Sequence, residues 1–320
     1  MGRLKFIGKR IVLMVPVFLI ITFVVYALIN AAPGSVVDNI IAQQPDITQE
    51  QIDQIYHEYG LDQPMVVRYV SWLGGLLHGD LGTSYRTNEG VAGMVIERLG
   101  PTLILTGTAL VIAVLIGVTL GILAALKPGG VWDKVSSVYT FAGTSFPNFF
   151  MALVLISLLS VQLRLLPSMG MFTSGEPQTP AALAWHLVLP AFVLSFSITG
   201  NFIKQTRSAM LEVLGSDFIK VARSKGISKT AVYLRHAFRN ALLPIVTQIG
   251  LMVPFLVGGA VVMEQIFSWP GLGSLMNTSI SARDYPAVMG ITVVIALVVL
   301  VANVVMDIVY TLIDHRIELN

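Results

Sequence analysis

The sequence contains no cysteine. That excludes disulfide frameworks, iron–sulfur clusters and thiolate zinc sites, and leaves the compartment open. Charge is also scarce: 12% of the 320 residues are Asp, Glu, Lys or Arg, against ~25% in typical soluble domains. Hydrophobic types make up 55%, and mean hydropathy is +0.77. So little charge does not cover the surface of a water-soluble globule of this size. Soluble enzyme, secreted domain and disordered chain are therefore poor readings, and an integral membrane protein is indicated. The net charge is only +2, which gives no support to nucleic acid as a partner.

Several chemistries are missing too. No H-E-x-x-H helix is present, and Gly8-Lys9-Arg10 lacks the glycine loop and the Ser/Thr of a Walker A sequence. Ser145 has no G-x-S-x-G around it. His186 and His236 have no acidic neighbour at ligand spacing. No catalytic or metal site is expected in this chain, and ATP is not expected to be bound by it.

What the sequence does have is apolar length. A spanning helix needs about 20 mostly apolar residues to cross about 30 Å of hydrocarbon. Six stretches qualify, near 11–32, 102–125, 135–161, 187–202, 241–263 and 288–313. The fourth is diluted by Pro190, Ser195, Ser197 and Thr199. The first is too long for the apolar part of a cleavable signal and is expected to stay. With the N-terminus cytoplasmic, the inner side carries Arg3, Lys5, Lys9, Arg10, Lys127, Lys134, Arg316 and a cluster from Lys204 to Arg239. The outer side keeps Arg68, Arg86, Arg98, Arg164 and Arg283. This is the positive-inside asymmetry, and it implies six spans with both termini inside.

Residues 33–100 then form an extracytoplasmic cap after the first span. Thr48 with Gln51 makes a capping box, and Gly60 is a natural stop. A second cap helix follows Pro64, with Val66, Val70, Leu73 and Leu77 on one face. The cap either folds onto the outer ends of the spans or receives an external protein. No internal repeat or long linker divides the chain, so residues 1–320 read as one permease-like domain.

Asp307 is the one clear ionisable residue inside the expected spans, where such groups usually mark ion or proton paths. Its bland reading is a hydrogen-bonded residue near a helix end. Gly117 and Gly121 fit G-x-x-x-G, which lets helix backbones approach closely. Pro254 with Gly258-Gly259 interrupts the fifth stretch and nominates it as a pathway lining.

The 203–240 loop carries eight basic and two acidic residues. Ser216 or Asp217 caps a short helix that stops at Gly226, with Phe218, Val221 and Ala222 as a small apolar face flanked by Lys220, Arg223 and Lys225. Ser228 caps a second helix through Tyr233, His236 and Phe238 that ends before Pro244. The pair makes an elbow. It is either a basic loop on anionic lipid headgroups or a contact surface for another protein.

The run Asp217-Phe218-Ile219-Lys220-Val221-Ala222-Arg223-Ser224-Lys225-Gly226, followed by Arg235-His236-Ala237-Phe238-Arg239-Asn240-Ala241-Leu242-Leu243-Pro244, resembles the cytoplasmic signature loop of ABC importer permeases. The variant is that of the dipeptide/oligopeptide/nickel group, B-type subunit. Tyr59–Pro64, Gly79–Gly82, Phe267–Gly273 and Arg283–Pro286 resemble the same group, in the same order. The likeness covers essentially the whole chain.

The resemblance implies an all-α type I ABC importer permease fold in a bacterial or archaeal cytoplasmic membrane. It implies that the loop is a coupling helix docked in a groove of a cytoplasmic ATPase, with Phe218, Val221 and Ala222 as docking face, Gly226 as turn, and Asp217, Arg223, Lys225, His236 and Asn240 as companions. It further implies a second, C-type permease in a heterodimer, two ATPase subunits holding ATP and Mg, and an extracytoplasmic solute-binding lipoprotein. Phe267, Trp269, Pro270, Gly271, Gly273, Asp284 and Tyr285 become candidates for binding-protein docking or gating, or else a loop that only seals a connection. Lys220 and Val221 depart from the general E-A-A form, and Arg239 stands where many permeases have proline. The implied substrate is a short peptide, with nickel or a metal chelate as the alternative. A self-contained secondary transporter is the rival from another class, and sparse embedded charge argues against it. On this reading Asp307→Asn leaves transport intact across pH 5 to 8; a steep pH-dependent loss in an uptake assay would make Asp307 part of a proton path.

Overall fold

A computed structural model describes residues 2–31, 34, 37–38, 41 and 47–313. Expectations on the start of the cap, on Arg316 and on the C-terminal end fall outside the described residues. Among those residues the structure is all-helical, with an isolated bridge between Thr83 and Gly90. The helices are α1 (Gly2–Ala31), α2 (Gln49–Glu58), α3 (Met65–Leu77), α4 (Val91–Leu126), α5 (Val131–Ser145), α6 (Asn148–Leu155), α7 (Pro180–Leu214), α8 (Asp217–Ser224), α9 (Lys229–Ala231), α10 (Arg239–Ile266), α11 (Leu272–Ser281) and α12 (Tyr285–Ile313). Wider π turns extend α6 over Ile156–Gln162 and join α9 to α10 over Val232–Phe238.

Among the described residues, five helices are long and apolar enough to cross a membrane, or six if the α5–α6 pair is counted as one span. The expected third stretch, 135–161, is thus not one straight rod: its halves meet at 100°. The break lies at Phe146, whose ψ of 124° is extended. Proline at 147 pushes the residue before it out of the helical region, so the bend is encoded locally. The second and fourth stretches belong to much longer helices of 36 and 35 residues. At 1.5 Å per residue these reach roughly 50 Å, so hydropathy reported only their apolar middles.

The chain divides into two compact units, Met1–Pro101 with Gly271–Leu300, and Thr102–Pro270 with Val301–Asn320. In the first, Tyr26, Tyr69 and Met289 form one small core, and Val91, Val95, Leu272, Leu275, Ala287 and Ile291 another. The Thr48–Gln51 capping box is present at α2, and Gly60 takes a positive φ just after it. α3 follows Pro64 as read, but its face differs. Tyr69 is buried, with Met65, Trp72 and Leu73 packed beside it, whereas Val66, Val70 and Leu77 are exposed. α3 has apolar residues on both faces, so periodicity alone did not choose the inner one.

In the second unit α7 is central and packs against α5, α6 and α10. Its core includes Leu105, Ala109, Ala113, Leu194, Ile198 and Phe202. The Gly117–Gly121 pattern has a specific use here. A Cβ on Gly117 would lie 2.4 Å from Cβ of Phe202, and one on Gly121 only 2.9 Å from the carbonyl oxygen of Ile203. The glycines therefore seat α4 against α7 within one chain. His186 ties the 163–179 connection down: its Nδ1 donates to the Gly170 carbonyl at 3.0 Å, which leaves Nε2 to accept from the Thr173 hydroxyl at 3.2 Å.

Gly121→Val should destabilise the chain by about 1–3 kcal/mol through overpacking against backbone. Gly107→Ala, where a Cβ meets nothing within 4 Å, should be near neutral. Thermal unfolding in detergent checks the pair.

Candidate functional site

α8 begins after Ser216, which occupies the cap position as read, but its hydroxyl turns back to donate to the Val213 carbonyl at 2.5 Å. Over the eight residues of α8, Ile219 and Ala222 are buried, at 0% and 7% exposure. They pack with Ala209 and Met210 of α7, Ala125 of α4, Val232 and Ala237 of the π turn, and Ala241 of α10. Phe218 and Val221 point outward, 47% and 53% exposed. Ala222 therefore does not belong to the expected outward face. The amphipathic helix has its inner stripe one position away, at 219 and 222, because the surrounding small residues accept Ile219.

Asp217 and Lys220 pair at 2.8 Å on the exposed surface, worth at most a few tenths of a kcal/mol there. Arg223 and Lys225 are exposed beside them. Gly226 has φ +74°, and its N–H donates to the Arg223 carbonyl at 3.0 Å. Nothing lies within 4 Å of a Cβ placed there, so glycine is required for its backbone conformation rather than for space. Ser228 caps the next turn by accepting from the Ala231 N–H at 3.4 Å. That helix does not stop before Pro244 as expected. It passes through the π turn into α10, which contains Pro244 and Pro254. Half-buried His236 lies in the π turn, and its carbonyl accepts from Asn240 Nδ2 at 2.6 Å. The elbow is thus continuous with a spanning helix.

Of the expected pathway residues, Pro254 and Gly258 are exposed on α10 without breaking it; the side-chain position of Gly259 lies outside the described residues. Helix backbones tolerate proline at membrane depth where the freed carbonyl finds another partner.

The docking and gating candidates are mostly interior. In the second unit, Phe267 and Trp269 are fully buried in the main core, the Phe267 carbonyl accepts from Gly170 at 2.7 Å, and Pro270 is half-buried. In the first unit Gly271, Gly273 and Tyr285 are buried. Asp284, completely buried, accepts from the Ser84 hydroxyl at 2.5 Å and the Tyr85 N–H at 3.0 Å. Its Oδ1 also accepts from the Ala287 N–H at 3.4 Å, in the first turn of α12. Most of these residues are buried within the chain, and Phe267 and Asp284 hold connections together from within.

Two features escaped the sequence reading. Glu264 lies one residue beyond the expected fifth stretch and was not counted as embedded. It is fully buried near the end of α10 and accepts from the Thr102 hydroxyl at 2.6 Å. The second is a cleft of about 840 Å³ between α5 and α7. Ser136, Ser137, Thr140 and Thr144 line one wall, with Lys204, Ser208 and Glu212 across from them. At one side Arg207 clamps Asp133 through two hydrogen bonds of 2.7 and 3.0 Å, and Asp133 also accepts from the Gly129 N–H at 2.8 Å. The available signal was the hydroxyl spacing 136, 140, 144, one face of a helix.

The elbow is thus packed on three long helices within a chain of apolar, membrane-length helices. Residues 117–319 match the family model of the binding-protein-dependent transport system inner membrane component, and residues 3–106 match the model of its N-terminal part. The chain belongs to this family. It is a permease component of an ABC-type importer. The oligopeptide transport system permease protein AppB of Bacillus subtilis (strain 168) is 40% identical, covering 98% of this chain and 99% of the relative. The dipeptide transport system permease protein DppB of Escherichia coli (strain K12) is 36% identical over the same shares. The glutathione transport system permease protein GsiC of Salmonella choleraesuis (strain SC-B67) is 34% identical, again over 98% and 99%. Among solved structures, a chain of the inward-facing MetNI methionine ABC transporter aligns with TM-score 0.54 at 15% identity, covering 70% of this permease and 97% of that chain. That likeness supports the fold alone.

The division of labour within α8 has a direct test. Ile219→Ala should lower stability by about 2–4 kcal/mol, as large-to-small core changes do, while Phe218→Ala should stay within about 0.5 kcal/mol. Thermal unfolding of the two permease variants in detergent separates them.

Proposed function

We propose that this permease forms one half of the transmembrane pathway of an ATP-driven importer for short peptides. Its other half is a related C-type permease; two ATPase subunits hold ATP and Mg, and an extracytoplasmic solute-binding lipoprotein delivers the substrate. The observation that carries the coupling role is the two-sided character of α8. Ile219 and Ala222 lock it into the same cluster as residues of α4, α7 and α10, while Phe218 and Val221 stand free above the turn at Gly226. An apolar knob rigidly joined to spanning helices turns a push from outside into rigid-body movement of those helices. A loop lying passively on headgroups has no need of that anchoring. The basic surroundings of α8 support a cytoplasmic position by the positive-inside rule, with both termini on the same side.

Two observations support a peptide cargo. The curated relatives cited above at 36–40% identity carry oligopeptide and dipeptide permease names. The α5–α7 cleft offers neutral hydroxyls, which pair with peptide N–H and C=O groups whatever the side chains. Alternating access follows: ATP-driven closure of the motors draws on α8 and opens the path outward, and hydrolysis returns it inward.

Phe218→Ala with Val221→Ala should reduce ATPase recovered with the permease from native membranes at least tenfold and abolish ATP-dependent peptide uptake, with membrane level unchanged. Uptake by proteoliposomes holding this chain without any ATPase would overturn the reading, as would undiminished uptake by the double variant.

A further inference from the structure

The first unit contains a pocket, lined by cap residues together with residues of α1 and α12, that the transport mechanism above does not use. It encloses about 420 Å³ within the first unit, inside the range of roughly 300–1,000 Å³ for small-molecule sites. Its walls are aromatic. Tyr59 and Tyr85 stack with ring centroids 4.3 Å apart, and Tyr285 meets Tyr85 edge-on at 6.3 Å. Arg68 and Trp72, one helical turn apart on α3, line the same space. Arg68 Nε and Trp72 Nε1 are buried N–H donors with no hydrogen-bond partner. Glu58, at the exposed C-terminal end of α2, lines it as well.

An orphaned buried donor is unfavourable, more so when it is charged. Both donors belong to residues that line one pocket, which calls for an acceptor beside them, and a carboxylate meets the charge of Arg68. The stacked tyrosines offer flat apolar surface to a side chain beside that carboxylate. Burial pushes the Tyr85 phenol up to about 12, so near neutral pH it remains a neutral hydroxyl and does not repel an anion. Glu58 supplies negative charge for a free amino group. We propose that this pocket is a binding site for a short peptide on the cap, taking the C-terminal carboxylate on Arg68 and Trp72 and an apolar side chain against Tyr59 and Tyr85. The choice of a peptide among carboxylate ligands rests on the importer reading above; the carboxylate requirement rests on the pocket.

Isothermal titration of the full chain in lipid nanodiscs with the dipeptide Ala-Phe and with its C-terminal amide is the test. Saturable binding of Ala-Phe, at least tenfold weaker for the amide, is expected, a difference of about 1.4 kcal/mol. Arg68→Gln should cost the acid a similar factor and the amide little, and Trp72→Phe, which keeps the ring surface but loses the N–H, a smaller one. No binding, equal affinity for acid and amide, or an unchanged Arg68→Gln overturns the proposal. The acid–amide comparison uses the unaltered chain, so it does not depend on any variant folding. Loss of the acid preference alongside intact ATP-dependent uptake would sink this site alone. Retained preference with no uptake by the complete assembly would sink the importer reading alone.

Discussion

Hydrocarbon offers a peptide group no hydrogen-bond partner, and the rest of this structure follows from that constraint. Each spanning segment must satisfy its own N–H and C=O groups, which leaves helices as the only element available to a chain that does not close a barrel. The departures from regular helix are few and local. Pro147 turns one expected span into two helices at 100°, while Pro244 and Pro254 are absorbed inside α10. Among the described residues there are two π turns, one ending the bent span and one joining the elbow to α10. Such turns recur at functional positions, and the second sits where α8 must connect to a membrane helix.

The same constraint governs polar side chains. Glu264 is buried with the Thr102 hydroxyl on it, and Asp133 is held by Arg207 and Gly129. Asp284 gathers a hydroxyl and backbone N–H groups. In each case a carboxylate stitches together segments far apart in sequence. A buried charge stripped of its partners would destabilise the fold strongly, so these residues act as fixed joints. Much of the conspicuous Phe267–Gly273 and Arg283–Pro286 stretches lies inside, where Phe267, Trp269 and Asp284 are buried, while Tyr285 and Pro286 also line a pocket of the first unit.

The coupling proposed for α8 would depend on joints of this kind. A helix of eight residues has little stability of its own, and α8 is held by Ile219 and Ala222 in a cluster of small residues. Close packing resists compression and passes displacement on. Force applied at Phe218 and Val221 therefore reaches α4, α7 and α10 together, whereas a loosely tethered loop would absorb it. The first unit has a different character, with aromatic rings around a pocket.

Membrane class and the apolar stretches that become long helices were legible from composition and apolar length, because partition into a bilayer depends on summed side-chain chemistry along the chain; the 100° bend in the third stretch was not. Capping at Thr48, the stop at Gly60 and the turn at Gly226 were legible because they are local backbone effects. The inward turn of Ala222, the choice of Tyr69 over Val66 on α3, the burial of Asp284 and Trp269, and the pairing of Glu264 with Thr102 were settled only by tertiary packing. When a helix is apolar on more than one face, or a carboxylate's partner is some 160 or 200 positions away, nothing in the linear pattern says which atoms will meet; the neighbours brought together by folding decide it.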